Sequence, residues 1–486
     1  MAIVKFPLRS PVGWIFLLAT TVFFGCNSVK KPNVVFILVD DLGWSDLGCY
    51  GSTFYDTPHL DRLAEHSIRF TNAYAASPVC SPTRAAILTG RNPVRVGITD
   101  WIPGNSESGQ NNSILTTPED LHNMPLEEVT MAEIFRDQGY KTFFAGKWHL
   151  GESEEYWPLS QGFEINQGGN HKGSPTFPGG KGYYAPYGNP CLSEGPEGEY
   201  LTDRLTDESI RFIESAGENP FFLYLSFYTV HSPIQGCINY DDLYLEKQRL
   251  LPDSGRMEVR NEHDGITRVN QSDPKYASMV HSMDVNVGRL LNTLKKSGIT
   301  ENTIVVFTSD NGGLSTTRRA GPTSVVPLRA GKGWCYEGGI RVPLIIRYPG
   351  MKRPGHTSDQ PVISMDLFPT LMDLAGMEVE PERWLDGRSL VPYCGEPEKV
   401  DDRILVWHYP HYHGSTWRPG SALRNNQWKL VEFYEDQTVE LYDLSIDLSE
   451  QHNLSDVYPG LADSLRHQLH QRLDDMGADY PVRIEN

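Results

Sequence analysis

Apolar positions are distributed along the chain in two different rhythms. The segment NVVFILVDDLG, from residue 33, opens with five apolar residues among its first six, most of them β-branched or aromatic, and stops abruptly at Asp40 and Asp41. A continuous run of this length and type predicts a strand buried on both faces of a parallel sheet. NTIVVFTSDNGG, from residue 302, repeats the arrangement and ends in Asp310, Asn311 and two glycines. Similar apolar runs occur in KTFFA (141–145) and FFLYLSFYTVHSP (221–233), with helical patterns between the strands. The clearest of these covers 275–297, where Met279, Met283, Val287, Leu290, Leu291 and Leu294 recur at helical spacing before Gly298. Alternation of this kind predicts an α/β fold, a sheet sandwiched by helices.

Around GEPEKVDD, residues 395–402, the composition turns polar and the rhythm changes. RILVWHYP, QWKLVEFYE and TVELYDL follow as short strands with tight connections, predicting a small antiparallel sheet. A final helix carries Leu461, Leu465, Leu469 and Leu473 on one face, suited to docking on that sheet. The chain therefore divides into a large domain, 32–394, and a smaller α+β subdomain, 403–486. Residues 151–200, rich in Gly and Pro, read as a long surface loop region that either shapes a pocket or decorates the surface. No internal repeat or low-complexity segment is present.

Length and charge narrow the picture. The 486 residues can bury a large core, and 22 % charged with 39 % hydrophobic residues suits a globular protein. A net charge of −19 leaves no basic stripe for phosphates and excludes nucleic acid as a partner. An anionic substrate would need a local basic pocket inside an acidic protein. At the N-terminus, Lys5 and Arg9 precede VGWIFLLATTVFFG, which has the shape of a signal-peptide core. Residues 1–26 are read as that signal, so the protein is expected to be exported to the periplasm or cell surface. Cys26, directly after Gly25, resembles a lipoprotein cleavage site with Phe23 where Leu is usual; a lipid there would attach the protein to a membrane, and ordinary cleavage is the alternative. The seven cysteines are scattered and leave disulfides optional.

Candidate chemistry gathers at the strand ends, where open α/β sheets bind their ligands. Asp40, Asp41, Asp310 and Asn311 would bring three carboxylates and an amide to one edge. Uncompensated, the carboxylates repel, so a cation is the natural resolution, and an all-oxygen donor set selects Ca²⁺ or Mg²⁺ over zinc. The bland reading is that each Asp caps the following turn. Lys147 and His149 in GKWH, His231 in YTVHSP and Lys332 between glycines in RAGKGWCYEGGIRVP supply a basic complement that describes an oxyanion pocket. Cys80, in SPVCSPTRAAILTGR, has no second cysteine or His pair close enough to share a zinc, and by itself reads as a packing thiol.

Together these blocks resemble the formylglycine-dependent sulfatases, relatives of alkaline phosphatase. CSPTR followed by AAILTGR is similar to the family's defining C-x-P-x-R segment, and NVVFILVDDLGWSDLGCYG, GKWHLG, TSDNGG and GKGWCYEGGIRVP match its other blocks in order. The similarity spans roughly 32–390. It implies an alkaline-phosphatase-like mixed sheet with a C-terminal α+β subdomain. It further implies that a maturation enzyme oxidises Cys80 to Cα-formylglycine, whose hydrate attacks sulfur through one hydroxyl and expels sulfate through the other. By the same resemblance Asp40, Asp41, Asp310 and Asn311, with the modified Cys80, hold one Ca²⁺. Arg84 steadies the diol, His149 is the base for its collapse, and Lys147, Lys332 and His231 grip sulfate oxygens. His231 or Lys332 would also protonate or stabilise the departing alcohol.

The substrate implied is a sulfated carbohydrate. Trp101, together with His408, His411, His413, Trp417 and Arg418 of WHYPHYHGSTWRPG, are candidates for the sugar subsite, because aromatic and basic loop residues suit an anionic ring. The competing reading has these aromatics packing the two domains together. Two alternative functions stay open: a phosphoester or phosphonate hydrolase of the same superfamily, and a non-catalytic glycan-binding protein.

Overall fold

The computed structural model describes residues 1–4, 7, 30–104, 113–378, 384–396 and 398–485. Residues 31–486 form one compact unit, while residues 1–30 belong to a separate unit; Cys26 and the apolar run before it lie outside the described residues.

The central sheet has eight strands: β1 (Asn33–Val39), β2 (Ile68–Phe70), β3 (Lys141–Gly146), β4 (Ile165–Gln167), β5 (Phe221–Ser226), β6 (Thr303–Ser309), β7 (Leu344–Arg347) and β8 (His356–Ser358). Their order is β8-β2-β7-β6-β1-β5-β3-β4. The core β6-β1-β5-β3-β4 is parallel, and β7 runs antiparallel to both β6 and β2. Both faces are covered, as the apolar runs require. Val35, Ile37 and Val39 pack with residues of helices Leu201–Ala216 and Pro274–Lys296, and Val34, Phe36 and Leu38 pack on the other side with Ala85, Ile87 and Leu88. The expected helix at 275–297 is therefore present and buried along its apolar face.

The C-terminal region is a four-stranded antiparallel sheet, β9 (Ile404–Tyr409), β10 (Gly420–Asn425), β11 (Trp428–Phe433) and β12 (Thr438–Asp443). The last helix, Pro459–Met476, buries Leu465, Leu469 and Leu473 against one face, while Leu461 is only partly buried. The other face packs on the rest of the unit through Trp407, Tyr409, Trp417 and Val431, which meet Tyr74, Val79, Ala86 and Trp334. Residues 151–200 are more than surface loop: Tyr183, Tyr187 and Tyr200 are buried in the core beneath the sheet. Cys49, Cys80, Cys191, Cys237, Cys335 and Cys394 are all free thiols.

Candidate active site

β1 and β6 are hydrogen-bonded neighbours with Val39 opposite Ser309. The residues that follow each strand therefore emerge side by side. Asp41 takes a left-handed backbone, φ +59°, and donates its N–H to Asp310 Oδ1 at 3.1 Å. Such a conformation in a non-glycine residue is held only where the surroundings over-determine it. One oxygen from each of Asp40, Asp41 and Asp310 lies within 4.8 Å of the others, and all three side chains are buried. Asn311 donates to Asp41 Oδ1 (2.8 Å), while its own Oδ1 is buried without a hydrogen-bond partner.

Three cations face the three carboxylates. Lys147 Nζ bonds both oxygens of Asp40, at 2.9 and 2.8 Å, and Lys332 Nζ lies 2.6 Å from Asp41. Arg84 donates from Nε and Nη2 to Asp310 Oδ2 (2.9 and 2.7 Å) and from Nη1 to Lys147 O and Ser226 Oγ. Burial pushes Asp41 and Asp310 up, but the cations outweigh it, Lys332 first at Asp41 and Arg84 first at Asp310, so both are held below the ordinary carboxylate range. At Asp40 burial prevails over Lys147, and its carboxyl is raised.

Cys80 and Arg84 share one helix, Cys80–Thr89, in which every residue is buried. Four residues apart, they lie one turn from each other on one face, and Pro82 falls in the first turn, where its missing N–H costs nothing. Burial raises the Cys80 thiol against the pull of Lys147 and Lys332. It is therefore a neutral thiol and a poor nucleophile as encoded. Its Sγ lies 3.3 Å from His149 Nδ1. His149 Nε2 is 2.5 Å from the carbonyl of Ile102, an acceptor only, so the ring proton sits on Nε2 and Nδ1 presents its lone pair to residue 80. Burial and then Lys147 keep this imidazole neutral. His149 too has a left-handed backbone, φ +61°. Ser81 Oγ ties the assembly by donating to His149 O (2.9 Å) and accepting from Ile102 N (3.1 Å).

These groups border a cavity of about 770 Å³, the size of a small-ligand pocket. Asp41, Cys80, His149, His231 and Lys332 line its floor, and Trp101 and His413 stand on its walls. His231 bonds Ser232 O through Nδ1 (2.7 Å) and points Nε2 toward Asp41 (3.8 Å). Arg84 and Lys147, expected on the diol and on sulfate, do not line the cavity and instead hold Asp310 and Asp40 from behind.

Four sugar-subsite candidates are placed elsewhere. Arg418 pairs with Asp436 (3.2 Å) and Glu435 (3.5 Å) and lies over the Phe433 ring; Trp417 is in the core between the domains. His408 is buried between Ser421 Oγ and Asp479 O. His411 bonds Thr99 Oγ1 (2.8 Å), and Tyr409 bonds Asp100, which also accepts Trp101 N. These residues brace the loop that carries Trp101 rather than facing the cavity. The packing alternative accounts for most of the WHYPHYHGSTWRPG segment, and His413 is the member that reaches the wall. Asn170, Gly173 and Ser226 lie in no motif, and Ser81 fills a variable position of CSPTR; none was anticipated, because each acts through a close backbone approach or local hydrogen bonds.

Comparison with known proteins decides the family. The family described as Sulfatase matches residues 32–377, most of the chain. The chain belongs to the sulfatase family. A second family, the C-terminal region of N-sulphoglucosamine sulphohydrolase, matches residues 330–479 and covers the antiparallel sheet. This sulfatase is 34 % identical to a sulfatase of Formosa agariphila over 87 % of its length and 84 % of the relative's. It is 31 % identical to the N-acetylgalactosamine-6-sulfatase of Rattus norvegicus, over 88 % of this chain and 76 % of that one. Among solved structures it resembles Ps i-CgsB in complex with k-i-k-neocarrahexaose, with a TM-score of 0.71, 29 % identity, and coverage of 91 % of this chain and 92 % of the other.

Proposed function

We propose that this sulfatase hydrolyses a sulfate ester on a carbohydrate, through Cα-formylglycine made from Cys80 by a maturation enzyme and with one calcium ion held by Asp40, Asp41, Asp310, Asn311 and the modified residue. The observation that carries the reading is the place of Cys80: buried at the start of its helix, 3.3 Å from the lone pair of His149 Nδ1 and beside an all-oxygen cluster. Relatives named for N-acetylgalactosamine 6-sulfate and bound to a carrageenan hexaose support the carbohydrate.

The residues fit calcium. The donors are hard oxygens, and the partnerless Asn311 Oδ1 is a buried acceptor awaiting a positive partner. With three carboxylates already balanced by three cations, a divalent ion leaves surplus positive charge for an anionic ester. When bound, calcium supplies charge stabilisation to the reacting oxygens. Formylglycine supplies a hydrated aldehyde, a serine-like oxygen that can also eject its own sulfate adduct.

The chain's own residues do the rest. His149, its proton fixed on Nε2 by Ile102 O, accepts a proton at Nδ1. Lys332 brings a permanent ammonium to the floor and holds sulfate oxygens. Because His231 already donates Nδ1–H to Ser232, its Nε2 is an acceptor, which leaves Lys332 to offset charge on the departing alcohol. Arg84 keeps Asp310 ionised, and Lys147 orients Asp40.

We further infer export through residues 1–26 and lipid attachment at Cys26, to the periplasm or cell surface. Among the described residues no helix is long and apolar enough to cross a membrane.

The deciding experiment is the mass of the tryptic peptide Phe70–Arg84 from protein made beside an active maturation enzyme. An aldehyde at residue 80 is expected; an unmodified cysteine overturns the mechanism. Rates on matched sulfate and phosphate esters separate this reading from phosphoester or phosphonate hydrolysis.

A further inference from the structure

One wall of the cavity is built from the loop Asn170–Ser174, which no sequence motif announced. Its anchor is Asn170, fully buried: the carbonyl accepts His149 N–H (3.1 Å), Nδ2 donates to Gly168 O (3.0 Å) and Asn189 Oδ1 (2.9 Å), and Oδ1 accepts Lys172 N–H (2.9 Å). Gly173 lies flat against the His149 ring; a Cβ there would come within 2.4 Å of Cε1. The loop is thus fixed to the catalytic imidazole, and the side chains between those anchors face the cavity at fixed positions.

Two polar groups on this wall lack protein partners. His171 stacks on Trp157 with ring centroids 6.2 Å apart, and its Nδ1 is buried without a hydrogen bond. Lys172 is partly buried and, among the described residues, has no hydrogen bond or ion pair from its ammonium. Glu152, an acid on the same wall, lies 3.6 Å from His122. On the wall of a cavity in a protein of net charge −19, the Lys172 ammonium is free to pair with an anionic group of a ligand. Trp101 stands on the same cavity with its ring 6.5 Å from that of His149, placed for a sugar face.

We propose that Lys172, with His171 and Trp101, forms a second anion subsite, so that the preferred substrate carries a carboxylate or a further sulfate on the sugar beside the ester that is cleaved. This rests on the sulfatase reading above and specifies its substrate class. Lys172 is a specificity determinant: it takes no part in the transfer, and Lys332 holds the reacting sulfate without it.

The test compares matured wild type, Lys172→Gln and Lys172→Arg on 4-nitrophenyl sulfate, a monosulfated neutral disaccharide, a disulfated disaccharide and a monosulfated disaccharide containing a uronate. Lys172→Gln is expected to lower kcat/KM about 10- to 100-fold on whichever dianionic sugar is preferred, the loss of one charge-assisted hydrogen bond. On 4-nitrophenyl sulfate it should stay within about threefold, and Lys172→Arg should recover much of the lost rate. Preference for the disulfate or the uronate identifies the anion. Equal losses on all substrates, no loss on any, or a wild type that favours the neutral sugar overturns the subsite while leaving the sulfatase reading standing. A matured wild type that cleaves none of the four sulfates fails that reading itself.

Discussion

At the scale of single residues, the site is organised by which atoms are already committed. His149 donates its Nε2–H to the Ile102 carbonyl, so it can only accept at Nδ1. Asn311 has given its amide hydrogens to Asp41 and Gly312, so its Oδ1 is what remains. Replacing Asn311 by Leu should weaken calcium binding at least about tenfold, because it removes the ligand proposed above and the group that donates to Asp41. The check is thermal: chelation should lower the Tm of wild type, added calcium should restore it, and the variant should need correspondingly more calcium for the same shift. His149→Ala, with the proton acceptor gone, should lower kcat by about 10² to 10⁴ on any sulfate ester with little change in Tm, read by initial rates.

At the scale of elements, strand ends deliver the metal-type ligands and loops deliver everything else. That division also decides what the sequence could reveal. Strands β1 and β6 are unmistakable apolar runs, and their register places Asp40, Asp41, Asp310 and Asn311 together without any further information. β10, GSALRN, was unreadable because its small and polar residues become strand only by pairing with β9 and β11 on either side. The tyrosines of 151–200 were equally silent, having no period of 2 or 3.6 to betray their burial. His408, His411 and Trp417 looked like sugar contacts because composition does not say which way a side chain turns. Gly173 shows how fine the loop fit is. Gly173→Ala should displace the His149 ring and cut kcat at least tenfold while Tm moves little, a split that distinguishes lost positioning from lost folding.

At the scale of the whole molecule, the C-terminal sheet is part of the same folded body as the site. Lys429 on β11, fully buried, bonds Glu337 (3.0 Å) and Glu450 (2.8 Å). Burial pushes both carboxyls up; Lys429, Arg341 and Arg424 outweigh it at Glu337, pulled to about 2, whereas burial wins at Glu450, raised to about 7. Lys429→Ala leaves Glu450 without its cation while Glu337 keeps Arg341, and should cost about 3 kcal/mol, measured by urea unfolding. Acid should also weaken the fold through His408 and His411, which burial holds down to about 4 and about 3 from an ordinary 6.5. Below 6.5 the unfolded chain takes up protons at these imidazoles and the folded one does not. Stability is therefore full above pH 6.5 and falls toward pH 3–4, by up to about 1.4 kcal/mol per pH unit for each ring. His411→Gln should make the slope of unfolding free energy between pH 6.5 and 4.5 shallower by about that amount. The burial of Cys80 also sets a clock. Every residue from Ala73 to Gly90 is enclosed in the finished protein, so the maturation proposed above requires that the enzyme meet residue 80 as bare chain. The clasp that closes over it, Arg84 on Asp310, spans 226 residues. At ordinary synthesis rates the second half of that clasp follows the first by on the order of 10–45 s, and a molecule that folds without having been oxidised in that interval has missed its only appointment.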